Sequence, residues 1–140
     1  MKMLRSSSGM TLIEIMIVLV ILGGLMALLS GQFTGQLQKS KVSTTKIQFG
    51  ELSKSIQQYQ LDCGSLPSTS EGLQALVQGG GSCQNWGPTP YAKKNLLVDP
   101  WGNDIMYERN SSVSFTLLSY GADGEPGGDG LDADISSEDL

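Results

Sequence analysis

An apolar run containing one carboxylate constrains this chain more than any other feature. Met10–Leu29 is 20 residues long and holds a single charged side chain, Glu14. As a helix, such a run rises about 30 Å, the thickness of a bilayer's hydrocarbon core. A carboxylate at the centre of such a span costs roughly 2.5–3.5 kcal/mol, and less near an end, where Glu14 stands. A charge kept there implies a group that receives it. Helical character continues past the run, because no proline falls between Gln32 and Leu61. Apolar residues recur at Val42, Phe49 and Ile56, and again at Leu52 and Tyr59. Both series step by seven and are offset by three, which defines one helical face. Lys39, Lys41, Lys46, Glu51 and Lys54 fall mostly off that face. One helix from about Met10 to Leu61 is expected, ~78 Å long at 1.5 Å per residue. Gly23, Gly24, Gly31 and Gly35 are its weak points, each costing about 1 kcal/mol relative to alanine. Its first half is apolar all round and needs lipid or other copies of itself; its second half is amphipathic and needs a domain to lie against.

The segment Ser8-Gly9-Met10-Thr11-Leu12-Ile13-Glu14, running on through Ile15–Gly23, resembles the class III signal of type IV pilins and pseudopilins. The resemblance implies a leader, residues 1–9, cut after Gly9 by a prepilin peptidase. It implies N-methylation of the new first residue, Met10, and makes Glu14 the fifth residue of the mature chain. The family usually carries Phe where this chain has Met10. Two other readings of the segment exist, an ordinary secretory signal peptide and a plain single-pass anchor. Lys2 and Arg5 supply a basic start and Ala27 and Ser30 are small, but the run is longer than a signal core and carries Glu14 inside it.

Composition agrees with an anchored subunit bearing one small domain. Of 140 residues, a leader and a span leave roughly 110 for a globular part. The formal charge of −5 would fall to −7 with the loss of Lys2 and Arg5. No basic face offers itself to nucleic acid. Lys2 and Arg5 precede the span and no similar cluster follows before Lys39, which places the N-terminus in the cytoplasm and the domain outside it. No enzyme is expected. The chain has no histidine to serve as a base near neutral pH, no nucleophile elbow and no phosphate-cradling loop. Its two cysteines, Cys63 and Cys83, fit an oxidising compartment. A bridge between them would close a loop of about 20 residues and stabilise by ~3 kcal/mol. Two free buried thiols are the alternative; zinc is disfavoured with two thiols and no histidine.

Beyond the long helix, Gly64 and Pro67 are stop signals. Ser68–Val77 reads as a short helix whose capping box pairs Ser68 with Glu71. Strands are expected over Ile105–Glu108 and Ser114–Ser119, with a turn at Asn110-Ser111. Leu66-Pro67, Glu71-Gly72-Leu73-Gln74-Ala75-Leu76, Asp99-Pro100-Trp101-Gly102-Asn103 and Tyr120-Gly121-Ala122-Asp123-Gly124 together resemble the major pseudopilin family of type II secretion systems. The Cys63/Cys83 pair and the tail Ser136–Leu140, which lacks an aromatic residue, depart from many of its members.

The segment Asp123–Asp134 packs five carboxylates and four glycines into twelve residues. Calcium takes six to eight oxygens from carboxylates and carbonyls in flexible geometry, and this composition supplies both. A solvated acidic loop is the alternative reading. The pattern is not an EF-hand, and its likeness to half of a β-roll repeat lacks tandem partners. The resemblance implies a calcium site in this loop, with Asp123 and Asp134 as carboxylate ligands and Tyr120 and Glu125 giving backbone carbonyls. Gly128 and Asp132 complete the candidate set.

The expected fold is therefore α+β and type IV pilin-like, a long N-terminal helix packed on a small antiparallel sheet with a calcium loop. Residues 1–9 form the leader, 10–30 the transmembrane and filament-core helix, 31–62 its amphipathic half and 63–140 the periplasmic domain. The implied function is polymerisation into a helical homo-oligomer, the pseudopilus, that helps drive folded proteins through the outer membrane. Glu14 of one subunit would meet the N-terminal ammonium of Met10 in its neighbour, since a buried carboxylate is tolerated when paired. Implied partners are minor pseudopilins, the prepilin peptidase, an inner-membrane assembly platform with its ATPase and, indirectly, the outer-membrane secretin. A type IV pilus or DNA-uptake pilin is the alternative function.

Overall fold

The computed structural model describes residues 9–79 and 81–140 and, within the long helix, the side chains of all but residues 29–34. The expected leader therefore lies, Gly9 apart, outside the described residues. The chain divides into two compact units at Gln36/Leu37. Helix α1 spans Leu12–Cys63, 52 residues, so the expectation from proline-free sequence holds with its bounds moved by two residues. No break occurs at Gly23, Gly24, Gly31 or Gly35.

In the first unit the apolar side chains face outward. Leu12 is 79 %, Val20 74 % and Leu28 76 % exposed. Among the described residues, however, no helix is long and apolar enough to cross a membrane.

The second unit is built on the amphipathic half of α1. Phe49, Leu52, Ile56 and Tyr59 are fully buried, and Val42 packs against the same core. Their seven-residue steps place them on one side of the helix, so burial follows directly from periodicity. Thr45 is also fully buried, and its hydroxyl is satisfied by donating to the Lys41 carbonyl at 3.0 Å. Helix α1 ends at Cys63, with Gly64 at φ +77° donating its N–H to the Gln60 carbonyl.

The segment Ser68–Val77 makes the capping box but not a continuous helix. Glu71 N–H donates to Ser68 Oγ at 3.2 Å and Ser68 N–H to Glu71 Oε2 at 3.1 Å. Gly72 then takes φ +58°, outside right-handed helical space, so the chain proceeds as a 3-10 turn, Gly72–Gln74, and a single turn α2, Ala75–Gln78. The sheet has three antiparallel strands in the order β1 (Met106–Arg109), β2 (Phe115–Ser119), β3 (Ile135–Ser136). Register pairs Tyr107 with Leu117 and Ser119 with Ile135. Both expected strands are present, starting one residue late. Strand β3 was not expected, because two residues are too few to show alternation.

The sheet's inner face, Ile105, Tyr107, Leu117 and Ile135, completes the core with Leu66, Leu73, Leu76 and Leu97. Tyr107 Oη donates to the Pro67 carbonyl at 2.9 Å, and burial pushes its pKa up to about 12. Cys63 and Cys83 form a disulfide with Cα atoms 5.0 Å apart, which settles the pairing against free thiols. A polar clasp lies beside it. Glu71 Oε1 accepts from the Ser82 N–H at 3.3 Å and from its hydroxyl at 3.0 Å. Hydrogen bonds from the Ser68 hydroxyl and backbone, then from Ser82, hold Glu71 below the usual carboxylate range.

Candidate functional site

Two places carry the sequence's functional signals, one in each unit. At the first, Gly9 and Met10 precede α1 in exposed positions, Met10 at 63 %. Thr11 and Glu14 bond reciprocally: Glu14 N–H donates to Thr11 Oγ1 at 3.3 Å, and Thr11 N–H to Glu14 Oε2 at 3.4 Å. This is a capping box, and it places a carboxylate where the helix's exposed N–H groups favour negative charge. The spacing Thr-x-x-Glu was available in the sequence, yet the charge directs attention to a neighbour rather than to the helix's own end. Glu14 is thus held at the helix end by Thr11.

The second place is the acidic loop between β2 and β3. Gly127 N–H donates to Asp134 Oδ2 at 2.9 Å, folding the loop back on itself. Asp134 Oδ1 is shielded from solvent and has no hydrogen-bond partner. Gly128, at φ +87°, lies so close to the Asp132 carbonyl oxygen that any Cβ would collide with it. Gly121 lies under the Ala133 carbonyl, 3.0 Å from where a Cβ would stand. Asp134, Gly128 and Asp132 are therefore brought together. Asp123 and Glu125 form a separate turn, with Glu125 N–H donating to Asp123 Oδ1 at 3.2 Å. Tyr120, just past β2, lines a groove with Met106 and Leu118. No three acidic, histidine or cysteine side chains converge as a metal-holding group among the described residues.

These donors suit calcium rather than a softer ion. The unpartnered Asp134 Oδ1 is a hard oxygen removed from water, which carries an uncompensated cost unless a cation meets it. The chain's backbone carbonyls at Asp132 and Ala133 crowd the same turn of the loop. Calcium accepts such carbonyls as readily as carboxylates.

Asp99-Pro100-Trp101-Gly102-Asn103 is characteristic in the sequence but has no task legible there. The structure places it under the loop. Asp99 is buried, 5 % exposed, and its Oδ1 accepts from the Trp101 and Asn103 N–H groups at 3.0 and 2.9 Å. Its Oδ2 accepts from the buried Ser119 hydroxyl at 2.7 Å, fixing the end of β2 where the loop departs. Asn103 Nδ2 donates to the Gly121 carbonyl at 3.0 Å. Trp101 Nε1 donates to Gln38 Oε1 at 2.7 Å, and Lys41 Nζ sits 5.6 Å from the Trp101 ring centroid. The motif joins α1, β2 and the acidic loop. Its only local signal is the turn chemistry of Asp99, since Ser119 and Gly121 are distant in sequence.

Comparison with known proteins places this architecture. Residues 32–138 match the family Type II secretion system (T2SS), protein G, and residues 4–30 match the prokaryotic N-terminal methylation motif. The Type II secretion system core protein G of Pseudomonas aeruginosa is 43 % identical, covering 96 % of this chain and 97 % of its own. That of Vibrio cholerae is 36 % identical over 100 % of this chain and 97 % of its own. The crystal structure of the major pseudopilin from the type 2 secretion system of enterohaemorrhagic Escherichia coli superposes with a TM-score of 0.63 at 27 % identity, covering 76 % of this chain and 94 % of that one. With a family match from the middle of the long helix to the last turn, this chain belongs to the type II secretion system protein G family.

Proposed function

We propose that the chain is the major pseudopilin of a type II secretion system, a structural subunit that polymerises into the periplasmic pseudopilus. One observation carries the reading above the rest: the first unit leaves its apolar side chains exposed, with Glu14 held at the helix end by Thr11. Such a helix is stable in lipid or against copies of itself, not alone in water. Before assembly, residues 10–30 would anchor the subunit in the inner membrane, with residues 1–9 in the cytoplasm and the disulfide-bearing unit in the periplasm. Cleavage after Gly9 would create an ammonium at Met10, methylated in the mature chain. In the filament, Glu14 would pair with that ammonium on a neighbour, so that each new subunit neutralises a buried charge.

Partners of this reading are the prepilin peptidase, the minor pseudopilins, an assembly platform whose ATPase supplies the energy, and the secretin at the outer membrane. Calcium would bind the loop through Asp134, with Asp123 reaching in from its neighbouring turn and the carbonyls of Tyr120, Glu125, Gly128 and Asp132 as the remaining candidates. The ion's contribution when bound is to neutralise mutually repelling carboxylates. Glu14→Gln tests the filament reading. The variant should be cut and inserted as wild type yet yield few or no filaments, and wild-type filament yield would count against the pairing.

A further inference from the structure

The outer surface of the second unit carries two patches of opposite charge, each with an exposed apolar residue. The first is the solvent face of the sheet. Met106, Leu118 and Tyr120 line a groove of about 230 Å³ with Thr69, Tyr107, Glu108 and Thr116. Met106 is 48 % exposed. Glu108 lines the groove's edge, and Glu138 accepts from the Thr116 hydroxyl at 2.9 Å. An apolar floor is thus rimmed by carboxylates. Between Asp104 and Leu140 the sequence holds nine acidic residues and one base, Arg109.

The second patch is the back of α1, the side turned away from Phe49, Leu52 and Ile56. Lys39, Lys46 and Lys54 are exposed there, around Ile47 at 63 % exposure. The other charged α1 residues from Leu37 to Lys54 are Lys41, held over Trp101, and Glu51, an exposed carboxylate one turn from Ile47 on the same side, so the patch is basic by three charges to one. Gly50 lies on the same side, and among the described residues nothing beyond the helix's own backbone approaches within 4 Å of where its Cβ would be. A helix-interior glycine costs about 1 kcal/mol, and among the described residues no contact requires this one. A close approach from outside would.

We infer that these patches are the two sides of one contact between copies of this chain: the lysine-bearing back of α1 in one subunit seats Ile47 against the acid-rimmed groove of another. Charge complementarity selects the partner. The unit is acidic overall, so copies repel unless the lysines of one face the carboxylates of the next. Because the patches are different surfaces, the contact is head-to-tail and generates an open filament rather than a closed dimer. This inference rests on the filament reading and assigns that reading its contact between globular units.

The test uses the full chain produced with its peptidase and assembly machinery, scoring filaments pelleted after shearing. A non-reducing gel for the Cys63–Cys83 bridge reports folding. Lys46→Glu with Lys54→Glu, and separately Glu108→Lys with Glu138→Lys, should each lower filament yield at least about tenfold with the bridge intact, since like charges then face each other. The four substitutions combined should restore yield. Met106→Glu should also lower it. Wild-type yield from either reversed pair, or no recovery in the combination, overturns the contact. If a reversed sheet face polymerises normally but secretion stops, the groove serves another component and the inference fails. Glu14→Gln, run in parallel, separates the readings: filaments lost there but unchanged in the reversals refute the contact alone, whereas no filaments from wild type refute the filament reading.

Discussion

Replacing Asp99 by alanine should do more damage than any other exchange of a side chain on the loop or its support. The carboxylate is buried and accepts three hydrogen bonds, from Trp101 N–H, Asn103 N–H and Ser119 Oγ. A hydrogen bond to a charged group contributes about 1.5–3 kcal/mol, and a buried donor left unpaired costs about 1–3 kcal/mol. Trp101 and Asn103 lie near enough to the surface for water to replace part of the loss, whereas Ser119 is fully buried. Discounting for that, the expected cost is about 3–5 kcal/mol, out of a total near 5–15 kcal/mol for a domain of this size. By the usual scaling of roughly 4–8 °C per kcal/mol, the melting temperature should fall by more than about 12 °C. Asp99→Asn keeps an acceptor for the backbone N–H groups and should cost about 1–2 kcal/mol. Urea melts of the three proteins, with calcium and with chelator, measure this directly. A loss below about 1 kcal/mol for Asp99→Ala would refute the assignment of Asp99 as the support of the loop.

Removing the disulfide by Cys63→Ser with Cys83→Ser opens a loop of sequence separation 20 and should lower stability by ~3 kcal/mol, so an unchanged urea midpoint would contradict it. Tyr107 carries a raised pKa of about 12, so its contribution is complete below pH 10 and fades as pH climbs toward 12. Tyr107→Phe should flatten that alkaline decline; an identical pH profile would show that the decline arises elsewhere. Calcium at a hundredfold its dissociation constant should stabilise the domain by about 2.7 kcal/mol, a gain that Asp134→Asn removes. Equal melting temperatures with calcium and with chelator in the wild type would sink the metal reading.

What the sequence made legible was set by how local the physics is. Seven-residue periodicity exposed the core face of α1 because helical geometry converts spacing into direction, and Phe49, Leu52, Ile56 and Tyr59 are buried accordingly. Thr45 lies on the same face but escapes a hydrophobic pattern, since its hydroxyl is satisfied within the helix. The capping box at Ser68 and Glu71 was readable, whereas the interruption at Gly72 depends on a positive φ that the motif does not encode. Strand β3 and the role of Asp99 depend on contacts across about twenty residues, and no local pattern announces them. In the acidic loop, composition identified the donors but not which of them meet. The folding back of Gly127 onto Asp134 separates one cluster from the turn at Asp123 and Glu125.

The most direct test of the pseudopilin account is the intact mass and N-terminal sequence of the mature protein taken from membranes. The account predicts a chain beginning at Met10 and heavier by one methyl group. A chain beginning near Ser30 would mean an ordinary secreted domain, and would contradict the filament core, the Glu14 pairing and the membrane anchor together.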